Sequence, residues 1–112
     1  MAEFAEGRVS VINTAAMMLG TSVALRNPRA VAVTNDGDAD DSDETVIVTE
    51  FYGQPVAGKE AQDDGRTGQV RLYKASDLST DGNISFAVRD STFGANAAAG
   101  TTMTSPNQLS AI

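Results

Sequence analysis

The chain repeats itself, and that constrains its architecture more than any other feature. Residues 7–27 read GRVSVINTAAMMLGTSVALRN and residues 68–90 read GQVRLYKASDLSTDGNISFAVRD, matching along most of their length once two residues are allowed for in the turn. Gly7 aligns with Gly68, Val9 with Val70, Val11 with Leu72, Ser22 with Ser85, Ala24 with Ala87, Leu25 with Val88 and Arg26 with Arg89. A third echo links Pro28-Arg29-Ala30-Val31 to Pro106-Asn107-Gln108-Leu109. Recurrence of this kind marks an architecture in which each unit buries its apolar face against the next.

Within each copy the period is two. Residues 8–13 (RVSVIN) alternate apolar and polar, a turn is allowed over Thr14 to Gly20, and 21–26 (TSVALR) alternate again, which predicts a β-hairpin. Asn27-Pro28 punctuates the chain, with Asn27 pushed towards an extended conformation, before a strand at 30–34 (AVAVT). The run 45–52 (TVIVTEFY) is apolar on both faces around Val46-Ile47-Val48 and so expects cover from both sides. Residues 69–75 and 84–89 repeat the first hairpin around a turn at Asp81-Gly82-Asn83. The remainder divides into an N-terminal tail (1–6), an acidic loop (35–44), a polar loop (53–67), an irregular insert (91–105) and the start of another unit (106–112). The chain reads as all-β, with four antiparallel strands in residues 28–90.

Pro28, AVAVT, Asp36-Gly37, TVIVTEFY, GQVRLYKASD and, in the earlier copy, GRVSVINTAA follow one another in an order that resembles the YVTN-type and related β-propeller repeats of bacterial surface and periplasmic proteins. The resemblance covers residues 7–90 and the last seven. It implies a four-stranded propeller blade (28–90), the outer hairpin of a preceding blade (7–27) and the beginning of a following one, about one and a half blades in all. It also implies a secreted, periplasmic or cell-surface setting. Two departures stand out: the 35–44 loop is longer and more acidic than the usual tight turn, and the 91–105 insert has no counterpart between Asn27 and Pro28. A propeller closes with about four to eight blades. The chain is therefore expected to be part of a longer propeller, to self-associate, or to pack as a small open sheet or sandwich.

The sharpest chemical candidate is the run Asn35 to Glu44. Asp36, Asp38 and Asp40 alternate, with Asp43 and Glu44 following, and carboxylates so arranged can converge on one hard cation; Ca²⁺ takes six to eight oxygen ligands in flexible geometry. The run is not an EF-hand, since counting from Asp36 places Asp41 at the glycine position and Ile47 at the bidentate glutamate position. The other reading is a solvated loop whose charges simply stay wet. Asp63-Asp64-Gly65 lends further carboxylates or is a plain turn. Arg26 and Arg89 read as strand-end ion-pair partners, and Phe51, Tyr52, Tyr73 and Phe86 as packing residues between units.

Several functions are disfavoured. The net charge of -7 and eight scattered Lys and Arg residues cannot form the basic stripe that nucleic acid requires. Without His or Cys, neither a common nucleophilic triad nor a thiolate or imidazole metal site can form. The acidic residues cluster in one polar loop instead of flanking an apolar cleft. No apolar stretch approaches the roughly 20 residues of a membrane helix, and MAEFAEG lacks the basic and apolar regions of a secretory signal. The expected role is a non-enzymatic binding or structural scaffold, stabilised by calcium if the acidic loop holds it. The alternative is a contribution to a propeller hydrolase or oxidoreductase active only with further blades. Partners are then other blades, a second copy, or a protein or carbohydrate bound by loops such as 91–105.

Overall fold

Alternating β-branched residues dictate strands, and strands are what the chain forms. The computed structural model describes residues 1–62, 64–90, 103–104, 106 and 109, among which there is no helix. Strands β1 (Ala2–Glu3), β2 (Arg8–Asn13) and β3 (Met18–Ala24) make a three-stranded antiparallel sheet in that order. Strands β4 (Pro28–Val33), β5 (Thr45–Glu50), β8 (Gln69–Lys74) and β9 (Thr80–Ser85) make a four-stranded antiparallel sheet, again in chain order. Between them, β6 (Gln54–Pro55) and β7 (Arg66–Thr67) close the base of the 53–67 excursion, and β10 (Arg89–Asp90) pairs with β11 (Met103–Thr104).

One apolar seam joins the two larger sheets. Val9 and Leu25 from the first hairpin pack with Val46 and Val48 of β5, with Tyr73 of β8 and with Leu78 of the following turn, while Val23, Val31 and Ala75 fill the margins. Val48 is fully buried. Its neighbour Ile47, on the opposite face, is half-buried.

The repeat is real, but its register differs from the sequence alignment. Arg8 pairs with Ala24 and Gln69 with Ser85; Val9 pairs with Val23 and Val70 with Ile84. Leu25 donates its N–H to the Gly7 carbonyl at 2.9 Å, and Phe86 donates to Gly68 at 3.0 Å. Every one of these pairs recurs 61 residues later on both strands. The two hairpins therefore match without an insertion, and Leu25 corresponds to Phe86, not Val88. The alignment slipped by two residues on the second strand because a slip of two returns every side chain to the same face of a sheet.

That slip also displaced the turns. Asp81-Gly82-Asn83, expected as a turn, lies inside β9, where Gly82 faces Leu72 and Tyr73 faces Thr80 across a bulge. The reversal is made by residues 75–79, with Leu78 at φ +59° and the Asp77 carboxylate accepting the Ser79 N–H at 2.8 Å. In the first hairpin the reversal uses residues 14–17 with Met17 at φ +51°, so Met18, Leu19 and Gly20, expected in the turn, belong to β3. A bulge falls at the matching place there, between Ser10 and Ile12. An Asp-Gly pair suits a bulge as well as a turn, since both need an irregular backbone.

Other boundaries moved for identifiable reasons. The 1–6 tail contains β1, which pairs with β2 as Ala2↔Val9 and Glu3↔Arg8. Asn27 is left-handed at φ +42° instead of extended; Asn tolerates this conformation, and its carbonyl accepts the Phe51 N–H at 3.0 Å. At the β4 bulge the Thr49 hydroxyl accepts the Ala30 N–H at 3.0 Å. Tyr52, expected in the packing, is exposed, whereas Tyr73 is buried and Phe51 and Phe86 are half-buried. Most of the 91–105 insert and of 106–112 lies outside the described residues; Leu109 is half-buried and not in a strand.

Candidate functional site

The acidic loop leaves β4 at Thr34 and re-enters the sheet at Thr45, and Glu44 ties its base. Glu44 is buried, accepting the Thr34 hydroxyl on one carboxylate oxygen and the Asp36 N–H at 2.8 Å on the other. Thr34 and Thr45 exchange a further pair of bonds, Thr34 N–H to the Thr45 carbonyl at 3.0 Å and Thr45 N–H to the Thr34 hydroxyl at 2.9 Å. The Glu44 carbonyl accepts the Ala75 N–H at 2.8 Å, which couples the loop to the β8–β9 turn.

Beyond that base, the alternating acids build a staircase. Asn35 accepts the Gly37 N–H at 2.7 Å, Asp36 accepts that of Asp38 at 3.0 Å, Asp38 accepts that of Asp40 at 2.7 Å, and Asp40 accepts that of Ser42 at 3.0 Å. Each is a side chain holding the backbone two residues on, the turn that Asn and Asp favour. Gly37 supplies φ +92° within it. The Ser42 hydroxyl also donates to Asp40 at 2.6 Å, and these two bonds from Ser42 hold the Asp40 carboxyl below the usual carboxylate range.

The five candidate ligands thus fall into two groups. Asp36, Asp38 and Asp43 each bring one carboxylate oxygen within 4.8 Å of the others, all exposed. Asp40 is engaged with Ser42, and Glu44 is turned inward to the loop base. Three clustered carboxylate oxygens can serve part of the shell of a hard cation, with backbone carbonyls and water supplying the remainder. Asp64 does not join them; its carboxylate pairs with Lys59, and Asp63 lies outside the described residues. Arg26 is exposed at the rim of a shallow groove of about 440 Å³ that Phe4, Glu6, Gly7, Leu25 and Asn27 also line. Arg89 lies in β10, exposed, and the constant 61-residue offset makes Ala87, not Arg89, the counterpart of Arg26.

Two clusters were not anticipated from the sequence. Glu50, fully buried, accepts from Arg71 at 2.8 Å and from the Gln54 amide. Glu3 accepts from Arg8 and from the Ser10 hydroxyl at 2.5 Å, and those two bonds hold its carboxyl below the usual range. Beside them Phe4 meets Phe51 edge-on at 5.8 Å, and Phe51 meets Tyr52 at 4.9 Å. The signal lay in the sequence as Ala2-Glu3-Phe4 and Thr49-Glu50-Phe51. Ala2 pairs with Val9 as Thr49 pairs with Val70, so β1 holds the place in its sheet that β5 holds in the other.

Family models, curated protein sequences and solved structures were each compared with the chain, and none matches it.

Proposed function

We propose that the chain is a non-enzymatic scaffold: a propeller-like, four-stranded blade that stacks on the three-stranded remainder of a like unit. The observation that carries this reading is the seam in which one copy of the hairpin, through Val9, Val23 and Leu25, covers the Val46, Val48 and Tyr73 face of the next unit. Such packing is what a repeat protein uses to build an extended surface from units that are unstable alone. The absence of His and Cys from the sequence, and the use of most loop carboxylates to hold backbone, favour a structural role over acid–base or nucleophilic chemistry.

The Asp36, Asp38 and Asp43 cluster supports a second component of the same proposal, a Ca²⁺ site that stiffens the β4–β5 loop. With the backbone already held by the staircase, a cation would offset carboxylate repulsion without having to order the loop.

Calorimetry with Val9→Ala tests the scaffold. Val9 is 2% exposed, and removing two methyl groups at about 0.8 kcal/mol each, plus a cavity, costs roughly 2 kcal/mol. The expected result is one cooperative transition that moves down as a whole. Two transitions, of which the variant moves only one, would show that the sheets do not form a unit and would refute the proposal.

A further inference from the structure

The 61-residue offset allows each exposed position of the first unit to be compared with its counterpart in the second, where a neighbour is present. Tyr73 is 4% exposed and Leu78 5%, both within the seam; their counterparts Ile12 and Met17 are 42% and 82% exposed. Val48 is fully buried, and Met1, which exchanges backbone bonds with Ser10, stands at the matching place at 56%. Leu19, opposite Ile12, is exposed as well. Met1, Ile12 and Met17 are thus apolar in both units and their counterparts are covered, whereas the counterpart of Leu19, Thr80, is polar and exposed. An apolar face whose counterpart is covered marks a surface that packs against a further unit.

The chain also carries a surface of the kind that covers such a face. In the seam the cover is Val9, Val23 and Leu25. Their counterparts are Val70, already buried within the chain, Phe86, half-buried, and Ile84, 50% exposed on the face of the four-stranded sheet turned away from the seam. We infer that the face of one chain built by Met1, Ile12 and Met17 docks the β8–β9 hairpin of a second copy, through Ile84 and Phe86, in the geometry already present inside the chain. The inference rests on the scaffold reading and names its partner. The two surfaces differ, so the contact is heterologous, and it propagates into a ring or an open stack.

Size-exclusion chromatography with light scattering across protein concentration tests this, using Ile12→Asp and Ile84→Asp, both at exposed positions that tolerate a charge in the monomer. The wild-type chain is expected to exceed monomer mass, and each variant alone to remain monomeric. An equimolar mixture retains one sound surface of each kind and is expected to stop at twice the monomer mass. A monomeric wild type, a variant that assembles like the wild type, or a mixture that stays monomeric would each overturn the inference. If the chain is monomeric yet melts in one transition, only the docking fails; two independent transitions remove the scaffold reading itself.

Discussion

Met17 and Leu78 occupy the same place in the two hairpins and the same strained backbone, at φ +51° and +59°, yet glycine should act on them in opposite directions. A left-handed conformation costs an L-residue roughly 1–2 kcal/mol that glycine does not bear, while the extra freedom of glycine in the unfolded chain takes back about 0.5–1 kcal/mol. Met17 is 82% exposed and loses no burial, so Met17→Gly should stabilise by about 0.5–1 kcal/mol. Leu78 is 5% exposed within the core, and deleting a buried leucine side chain costs about 2–5 kcal/mol, so Leu78→Gly should destabilise by roughly 2–4 kcal/mol. Urea unfolding followed by far-UV circular dichroism reads both. With a slope near 1 kcal/mol per molar, the midpoint should rise by about 0.5–1 M for Met17→Gly and fall by about 2 M or more for Leu78→Gly. Measuring in the Ile84→Asp background keeps association out of the result, and Met17→Ala, which retains the strain, should show no gain. Midpoints that move in the same direction would refute the argument that the two turns share one conformation.

Calcium should raise the thermal midpoint, by the equivalent of about 1.4 kcal/mol when its concentration is tenfold above the dissociation constant. Asp36→Asn/Asp43→Asn, which retains side-chain acceptors while removing two charges, should abolish the gain; a wild-type melt indifferent to calcium would remove the site. Stability should also fall at both ends of the pH scale. Burial pushes the Tyr73 phenol up from its ordinary value of 10.0, so the unfolded chain ionises first and stability is lost as pH rises above about 10. Tyr73→Phe should flatten that alkaline limb. Glu3, Asp40 and Asp77 are held below their ordinary values by bonds from Arg8 and Ser10, from Ser42 and from Ser79. Their contribution is present above the unfolded values near 4 and lost as pH falls through the lower folded ones. Denaturant midpoints collected from pH 2 to 11 check both limbs, and Glu3→Gln should remove part of the acid one.

The strands were legible wherever apolar residues alternated without interruption or ran together as β-branched residues. The openings of both hairpins, at Arg8 and Gln69, fall where period two puts them, and β5 falls on the β-branched run Val46-Ile47-Val48. The reversals were not legible, because the left-handed positions went to Met17 and Leu78 while the Asp-Gly pair was used in a bulge. β1 was hidden for a different reason. Its counterpart β5 reaches β8 through the long 53–67 excursion, whereas Phe4 reaches Gly7 directly, so the two Glu-Phe pairs lie at a different spacing from the hairpins. In the acidic loop the sequence exposed the crowding of charge but not its division of labour. Glu44 resembles its neighbours by type, and only its place beside Thr34 turns it inward.

The two-residue slip that misled the sequence alignment is also a hazard for the folding chain. Moving β8 by two residues against β5 keeps each side chain on its original face, so the apolar pattern alone barely opposes it. In the direction that moves Arg71 away from Glu50 it would, however, carry the guanidinium about 7 Å along the sheet, whereas the opposite slip sets Arg71 directly across from Glu50, as Arg8 stands to Glu3. Glu50 is fully buried, and a buried carboxylate that loses its partner costs far more than the pair contributes while intact. Glu3, with Arg8 and Ser10, holds the same place against β2. The recurrence of an acid at this one point in both sheets supplies what the valines cannot: a charge, met by Arg8 directly opposite in one unit and by Arg71 two residues along in the other, that opposes any slip separating it from its arginine.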